Sequence, residues 1–142
     1  MNIPIPNKVA VVLFYNSQGE ILLQDRRSRS KWGEEYGFFG GTVEDGETPE
    51  QTIRRELEEE LELTNTELEL FREYQHQNPS TGVIVDRTVY LANIPDLTKL
   101  VCHEGKPELR RFDNSLELKM IPGFNQLLED IYSSLKSENR TQ

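Results

Sequence analysis

The sequence predicts a mixed α/β domain, with strands before and after a central helix and a second helix at the carboxyl end. Three observations carry this. Val9–Tyr15 is an unbroken apolar run of strand length. Thr48-Pro49-Glu50-Gln51 is a helix start followed by an apolar stripe. Phe124, Leu127, Leu128, Ile131 and Leu135 recur at helical spacing within Pro122–Leu135.

Taken in order, Val9–Tyr15 reads as a buried strand. A turn at Asn16-Ser17-Gln18-Gly19 joins it to a second strand, Glu20–Gln24, and the two suit a hairpin. Asp25–Lys31 is a polar loop holding Arg26, Arg27, Arg29 and Lys31. Trp32–Gly41 is rich in aromatics and glycine, with Phe38 and Phe39 on a short strand. After the loop Thr42–Glu47, Thr48 can cap a helix, Pro49 suits its first position and Gln51 completes a capping box. This helix should run to about Glu62. Leu68–His76 and Val83–Ala92 read as strands joined by a turn at Asn78–Gly82. Leu97–Arg111 reads as irregular, and Ser137–Gln142 as a frayed tail. No repeat or linker divides the chain, so residues 1–142 are expected to form a single domain.

Charge and cysteine content narrow the function. The formal net charge of −9 argues against binding a nucleic-acid polymer through its backbone, which needs a basic surface. A polyanionic small molecule would have to be held by local basic groups or bound cations. The single cysteine, Cys102, excludes an intrachain disulfide and a multi-cysteine zinc site, and nothing near it suggests an activated nucleophile. The apolar run after Lys8 is shorter than a secretory signal, and no segment reaches the roughly 20 apolar residues of a membrane span. The expectation is a cytoplasmic protein with no membrane partner. The oligomeric state stays open, with a homodimer compatible with the sequence.

The central helix carries an unusual load of acid. With Ile53 at zero and about 100° per residue, Ile53, Leu57 and Leu61 fall within about 80° of one another. Glu56, Glu59 and Glu60 lie on the neighbouring flank at about 300°, 240° and 340°, with Arg55 beside them at about 200°. Like charges at i,i+4 such as Glu56 and Glu60 repel by roughly 0.2–0.5 kcal/mol. Acids in the last turn lose about 0.3–1 kcal/mol more to the helix dipole. A hard divalent cation would reverse those signs, since Mg²⁺ prefers oxygen ligands and sits between carboxylates and substrate phosphates. For an isolated helix of this kind a solvated acidic face is the better explanation, since charge runs are usually just that. The residues before the helix change that balance.

Gly41, five residues, Glu47, seven residues, then Arg55-Glu56-Leu57-Glu58-Glu59-Glu60-Leu61-Glu62-Leu63 resembles the signature of the Nudix (MutT-like) hydrolases. The signature reads G, five, E, seven, R-E-U-x-E-E-x-G-U, with U a bulky aliphatic. Glu62 stands where the family usually has glycine, and Phe39 stands where many relatives have proline. The resemblance implies an α/β/α sandwich with a mixed sheet between helices. It also implies hydrolysis of a nucleoside diphosphate linked to another group, with Mg²⁺, or Mn²⁺ as a substitute. Glu56, Glu59 and Glu60 would then be metal ligands, and Glu59 would also be a catalytic candidate helping to deprotonate water. Gly40 or Gly41 would offer a backbone carbonyl to a metal. Glu47 and Arg55 would pair and fix the loop against the helix. A helix ending at Glu62 without glycine should end differently, or run on to Thr64-Asn65 with Asn65 as the cap.

Other groups complete the candidate set. In Cys102-His103-Glu104-Gly105, Glu104 resembles a loop glutamate that many relatives place near the metals, although an ordinary surface acid would look the same. His103 is a weaker candidate base, and Glu44 could reach a metal. Arg26 follows a strand aimed at the site and is the best of the basic loop for phosphate binding; the loop also reads as a solubilising one. Trp32, Tyr36, Phe38 and Phe39 could offer a stacking face to a base, but alternation allows only one of Phe38 and Phe39 to face a pocket. A nucleoside triphosphate or oxidised purine nucleotide is the favoured substrate, with a nucleotide sugar or dinucleotide second. A nucleotide-sensing module without turnover is a further reading, which the intact Arg55-Glu56 and Glu59-Glu60 pairs disfavour. A calcium loop of the EF-hand type is disfavoured because Glu44-Asp45-Gly46-Glu47 lacks its ligand pattern.

Overall fold

The computed structural model describes residues 7–30, 33–103, 105–115 and 117–142. Its strands are β1 (Asn7–Tyr15), β2 (Glu20–Asp25), β3 (Tyr36–Gly37), β4 (Phe39–Thr42), β5 (Glu69–Gln77), β6 (Ile84–Asn93) and β7 (Lys106–Arg111). Its helices are α1 (Pro49–Leu61), α2 (Phe112–Ser115) and α3 (Phe124–Ser137), with a 3-10 turn at Leu97–Lys99.

The strands form one mixed sheet, and its topology sets up the site. β1 and β2 pair as a hairpin only near their turn, at Phe14 with Leu22 and Tyr15 with Ile21. Further from the turn they diverge, and residues 36–42 enter the gap. β3 pairs with the far end of β2, and β4 takes β2's place beside β1, with Val11 opposite Gly40 and Ala10 opposite Gly41. β6 runs parallel to β1 on its other edge, and β5 is antiparallel to β6. Strand periodicity then sorts β1 onto two faces. Ala10, Val12 and Phe14 join Leu22 and Phe39 under Ile53, Leu57 and Leu61 of α1. Val11, Leu13 and Tyr15 join Ile21, Leu23, Val89 and Leu91 under Phe124, Leu127, Leu128, Ile131 and Leu135 of α3. The result is an α/β/α sandwich in which the expected stripes of both helices are the buried ones. Each fully buried Leu or Ile on them stabilises the fold by about 1.5–3 kcal/mol.

Both ends of α1 are defined locally. The Thr48 side chain accepts from the Gln51 N–H at 3.2 Å, and the Gln51 side chain accepts from the Thr48 N–H at 2.8 Å, so both halves of the capping box form. At the other end the helix does not run on to Thr64-Asn65. It stops at Leu61, and Glu62 itself takes the left-handed conformation, φ 52°, with its N–H donating to the Glu58 carbonyl.

Two other expectations are corrected. Leu97–Arg111 is not irregular throughout: Lys106–Arg111 pairs with β2 along its whole length. β7 was hidden because it is charged, contains Pro107 and pairs on one side, the usual dress of an edge strand. Nor does Ser137–Gln142 fray. Arg140 donates to both Glu69 oxygens, at 2.9 and 2.6 Å, and to the Tyr15 hydroxyl at 2.7 Å, while the Thr141 hydroxyl donates to the Asn16 carbonyl. Among the described residues no helix is long and apolar enough to cross a membrane.

Candidate active site

Gly40 and Gly41 bring β4 against β1 at the place where α1 passes over it. Gly40 has φ 146°, and a Cβ there would lie 2.1 Å from the Ala10 carbonyl oxygen, so only glycine permits this approach. A Cβ at Gly41 would lie 2.5 Å from Glu56 Oε1, so the Glu56 carboxylate rests directly against this backbone. On this turn and the α1 flank above it, an open cleft of about 600 Å³ is lined by Gly40, Gly41, Glu56, Glu59 and Glu60. Gln24, Arg26, Arg29 and His103 line it as well.

The three acids differ in setting. Glu60 is buried, the side chain of Glu56 is mostly covered and that of Glu59 is largely exposed. Arg55 organises the cluster. Its Nε donates to Glu47 Oε2 at 2.7 Å and its Nη2 to Glu47 Oε1 at 3.0 Å, a bidentate pair. Its Nη1 donates to Glu56 Oε1 at 2.8 Å and reaches Glu59 Oε2 at 3.5 Å, and its Nη2 also meets the Thr42 carbonyl at 3.3 Å. Glu44 lies 3.7 Å from the same guanidinium. One arginine therefore ties the loop after Gly41 to the acidic flank of α1.

This pairing fixes the charge state of Glu47. Hydrogen bonds from Arg55, then from the Glu44 N–H, lower its pKa from 4.5 to about 2. The Glu47 carboxylate raises Arg55 above its ordinary range. A lowered carboxyl pKa stabilises the fold above the unfolded value, and that contribution is lost as pH falls through the folded one. The loop anchor should therefore hold down to about pH 4.5 and weaken between there and pH 2. NMR titration of the Glu47 side-chain carboxyl should show a midpoint near 2, and Arg55→Ala should raise it toward the ordinary carboxylate range.

The other sequence candidates fall as follows. Arg26 lines the cleft, with its Nε at 3.3 Å from Glu34 Oε1 and its Nη1 donating to Gln24 Oε1 at 3.1 Å. Phe38 and Phe39 do take opposite faces of the sheet, but neither reaches the cleft. Phe38 packs on Phe124, ring centroids 4.8 Å apart, and Phe39 packs edge-on to Phe14 at 5.9 Å. Both faces of the sheet are covered, so alternation assigns each ring to a core, and the stacking role expected for one of them is corrected. Tyr36 is buried as well. Trp32, Glu104 and Lys31 lie outside the described residues. Arg29, named in the sequence with the basic loop, lines the cleft too, whereas Gln24 was not singled out. Gln24 is a polar side chain at a buried strand position, which is a usable signal.

The donors on the acidic wall are all oxygens, and the bare Gly41 backbone leaves Glu56 where an ion could touch both. This fits a hard divalent cation. Among the described residues, no three His, Cys, Asp or Glu side chains are gathered closely enough to form a cation site by themselves. Mg²⁺ does not require that, because it keeps waters and takes oxygens from phosphates.

Fold and cleft together define an α/β/α sandwich whose acidic helix flank, glycine turn and basic loop line one cleft. The NUDIX domain family model matches residues 5–118, and the chain belongs to the Nudix family. It is 36% identical over 86 residues to an 8-oxo-dGTP diphosphatase of Haemophilus influenzae, covering 61% of this chain and 62% of that one. It is 37% identical over 65 residues to an RNA pyrophosphohydrolase of Pseudoalteromonas translucida, covering 46% of this chain and 36% of that one. The matched stretch thus spans less than two thirds of these relatives' length. Among solved structures, it resembles the MutT Nudix hydrolase of Burkholderia pseudomallei with a TM-score of 0.74 at 23% identity, over 90% of this chain and 99% of that one. The E. coli ORF135 protein matches with a TM-score of 0.67 at 27% identity, over 93% and 91%.

Proposed function

We propose that this protein is a divalent-cation-dependent pyrophosphohydrolase, acting on a nucleoside triphosphate or an oxidised purine nucleotide to give the monophosphate and pyrophosphate. The observation that carries this reading is the meeting of acidic and basic groups in one cleft. Glu56, Glu59, Glu60 and the Gly40-Gly41 turn line it together with Arg26 and Arg29. Purely acidic walls would repel a polyphosphate, and purely basic ones would lack anything to activate water. The similarity to 8-oxo-dGTP diphosphatases supports the choice of substrate class.

Glu56, Glu59, Glu60 and a carbonyl of Gly40 or Gly41 would hold the cation. When bound, Mg²⁺ or Mn²⁺ would offset phosphate charge and lower the pKa of water. Arg26 and Arg29 hold phosphate oxygens against the protein's negative field. Glu59 accepts a proton from the attacking water. The water oxygen forms a bond to phosphorus as the bridging P–O bond breaks, and the displaced phosphate group leaves with the electron pair. Arg55 keeps Glu56 in place, and Glu47 keeps Arg55 in place.

The test is a phosphate- and pyrophosphate-release screen with and without Mg²⁺. It should span nucleoside triphosphates, oxidised purine nucleotides, nucleotide sugars, dinucleotides and an RNA 5′-polyphosphate. Cation-dependent release from a triphosphate, abolished by a chelator, is expected. Nucleotide binding without turnover on any substrate would replace the hydrolase with a sensing module.

A further inference from the structure

We propose that Glu62 is a positioning residue, which latches the loop at His103 onto the end of α1 and so fixes the spacing of α1 and β2 at the cleft. The backbone of Glu62 sits at φ 52°, a conformation that glycine adopts without strain and glutamate does not. In return its side chain is directed at that loop, with Glu62 Oε2 at 2.5 Å from His103 Nε2. A second contact joins the same two segments: the His103 N–H donates at 2.7 Å to the carbonyl of Glu60, one of those a helix leaves unsatisfied in its last turn. The other end of the loop rests on β2. Gly105 has φ 65°, and a Cβ there would lie 2.8 Å from the Asp25 carbonyl oxygen and 3.1 Å from Gln24 Cγ.

His103 and Gly105 therefore tie this loop to both elements that contribute to the cleft. One foot stands on the helix that carries Glu56, Glu59 and Glu60, and the other on the strand that carries Gln24 and leads into Arg26 and Arg29. Both partners of the side-chain contact are about half exposed, so the pair adds little to global stability. Its effect is local and geometric. A misplacement of about 1 Å between reacting groups can cost about 10²-fold in rate.

The experiment compares the parent with Glu62→Gly and Glu62→Gln by amide hydrogen exchange, thermal melting and steady-state kinetics. Glycine suits the backbone but cannot reach His103, whereas glutamine keeps a hydrogen-bonding group of the same length. In Glu62→Gly the His103 amide should exchange about tenfold faster, with α1 amides unchanged and a melting temperature no lower than the parent's. Its kcat should fall about tenfold with KM little changed. Glu62→Gln should keep the His103 protection and most of kcat. The kinetic arm rests on the pyrophosphohydrolase reading of this cleft; the exchange arm does not. Unchanged His103 protection in Glu62→Gly, or an active parent whose Glu62→Gly variant keeps its kcat, overturns the latch. A parent inactive on every substrate overturns the hydrolase reading alone, and the exchange comparison then decides the latch.

Discussion

Glu59→Gln should lower turnover by about 10²–10⁴-fold while leaving the folded state intact. The two halves of this expectation have separate grounds. Glu59 is largely exposed, and Arg55 Nη1 meets it only at a distant 3.5 Å. An exposed pair of that kind is worth about 0–1 kcal/mol, so the melting temperature should move by no more than a few degrees. Glutamine also keeps the length and helical preference of glutamate. What it removes is a negative charge and a proton acceptor on the wall of the cleft. If Glu59 both binds a cation and takes a proton from water, the substitution removes both roles at once. Glu56→Gln is a less clean experiment, because Glu56 also accepts from Arg55 at 2.8 Å and its loss would disturb the Glu47–Arg55 anchor. Kinetics with saturating Mg²⁺, together with a thermal melt, checks the expectation. A Glu59→Gln enzyme with parental kcat would remove Glu59 from the chemistry.

The parts of this molecule that were legible in its sequence are those governed by short-range rules. The capping box needs only Thr48 and Gln51 three positions apart, and both its hydrogen bonds form. The Ile53, Leu57 and Leu61 stripe needs only helical spacing, and all three are buried. The Nudix resemblance added the Glu47–Arg55 pair, which no local rule would find across eight positions. What stayed illegible depends on partners distant in sequence. β7 becomes a strand only because β2 offers it an edge. The tail is held because Glu69 and Tyr15 receive Arg140 and Asn16 receives Thr141. Phe38 and Phe39 could not be assigned to cores until both faces of the sheet were known to be covered. Glu62 in a left-handed turn contradicts its intrinsic preference, and the side-chain contact that uses it is with His103, far along the chain.

Replacing either of two adjacent glycines by alanine should damage the protein in different ways. Gly40→Ala should lower the melting temperature by about 10 °C or more. Its new methyl group would lie 2.1 Å from the Ala10 carbonyl oxygen and 2.8 Å from Val11 Cα, both backbone atoms of the central strand β1. Backbone cannot step aside without breaking the β1–β4 register, in which Gly40 stands opposite Val11. Strain at a φ that L-residues avoid adds about 1–3 kcal/mol, and overpacking about 1–3 kcal/mol more. At about 2–4 °C per kcal/mol for a chain of this size, the two together give the expected loss. Gly41→Ala meets a different obstacle, since the atom in the way is Glu56 Oε1 at 2.5 Å, the far end of a flexible side chain. That carboxylate can swing away at small cost to stability, but it then leaves the glycine backbone and its Arg55 contact. Gly41→Ala should therefore keep most of the parent's melting temperature while losing affinity for the divalent cation and falling in kcat. Melting curves and Mg²⁺ dependence measured on both variants separate the two effects. Equal destabilisation by both, or a Gly41→Ala enzyme with unaltered Mg²⁺ dependence, would mean that Glu56 and the glycine turn do not act as one cation-binding unit.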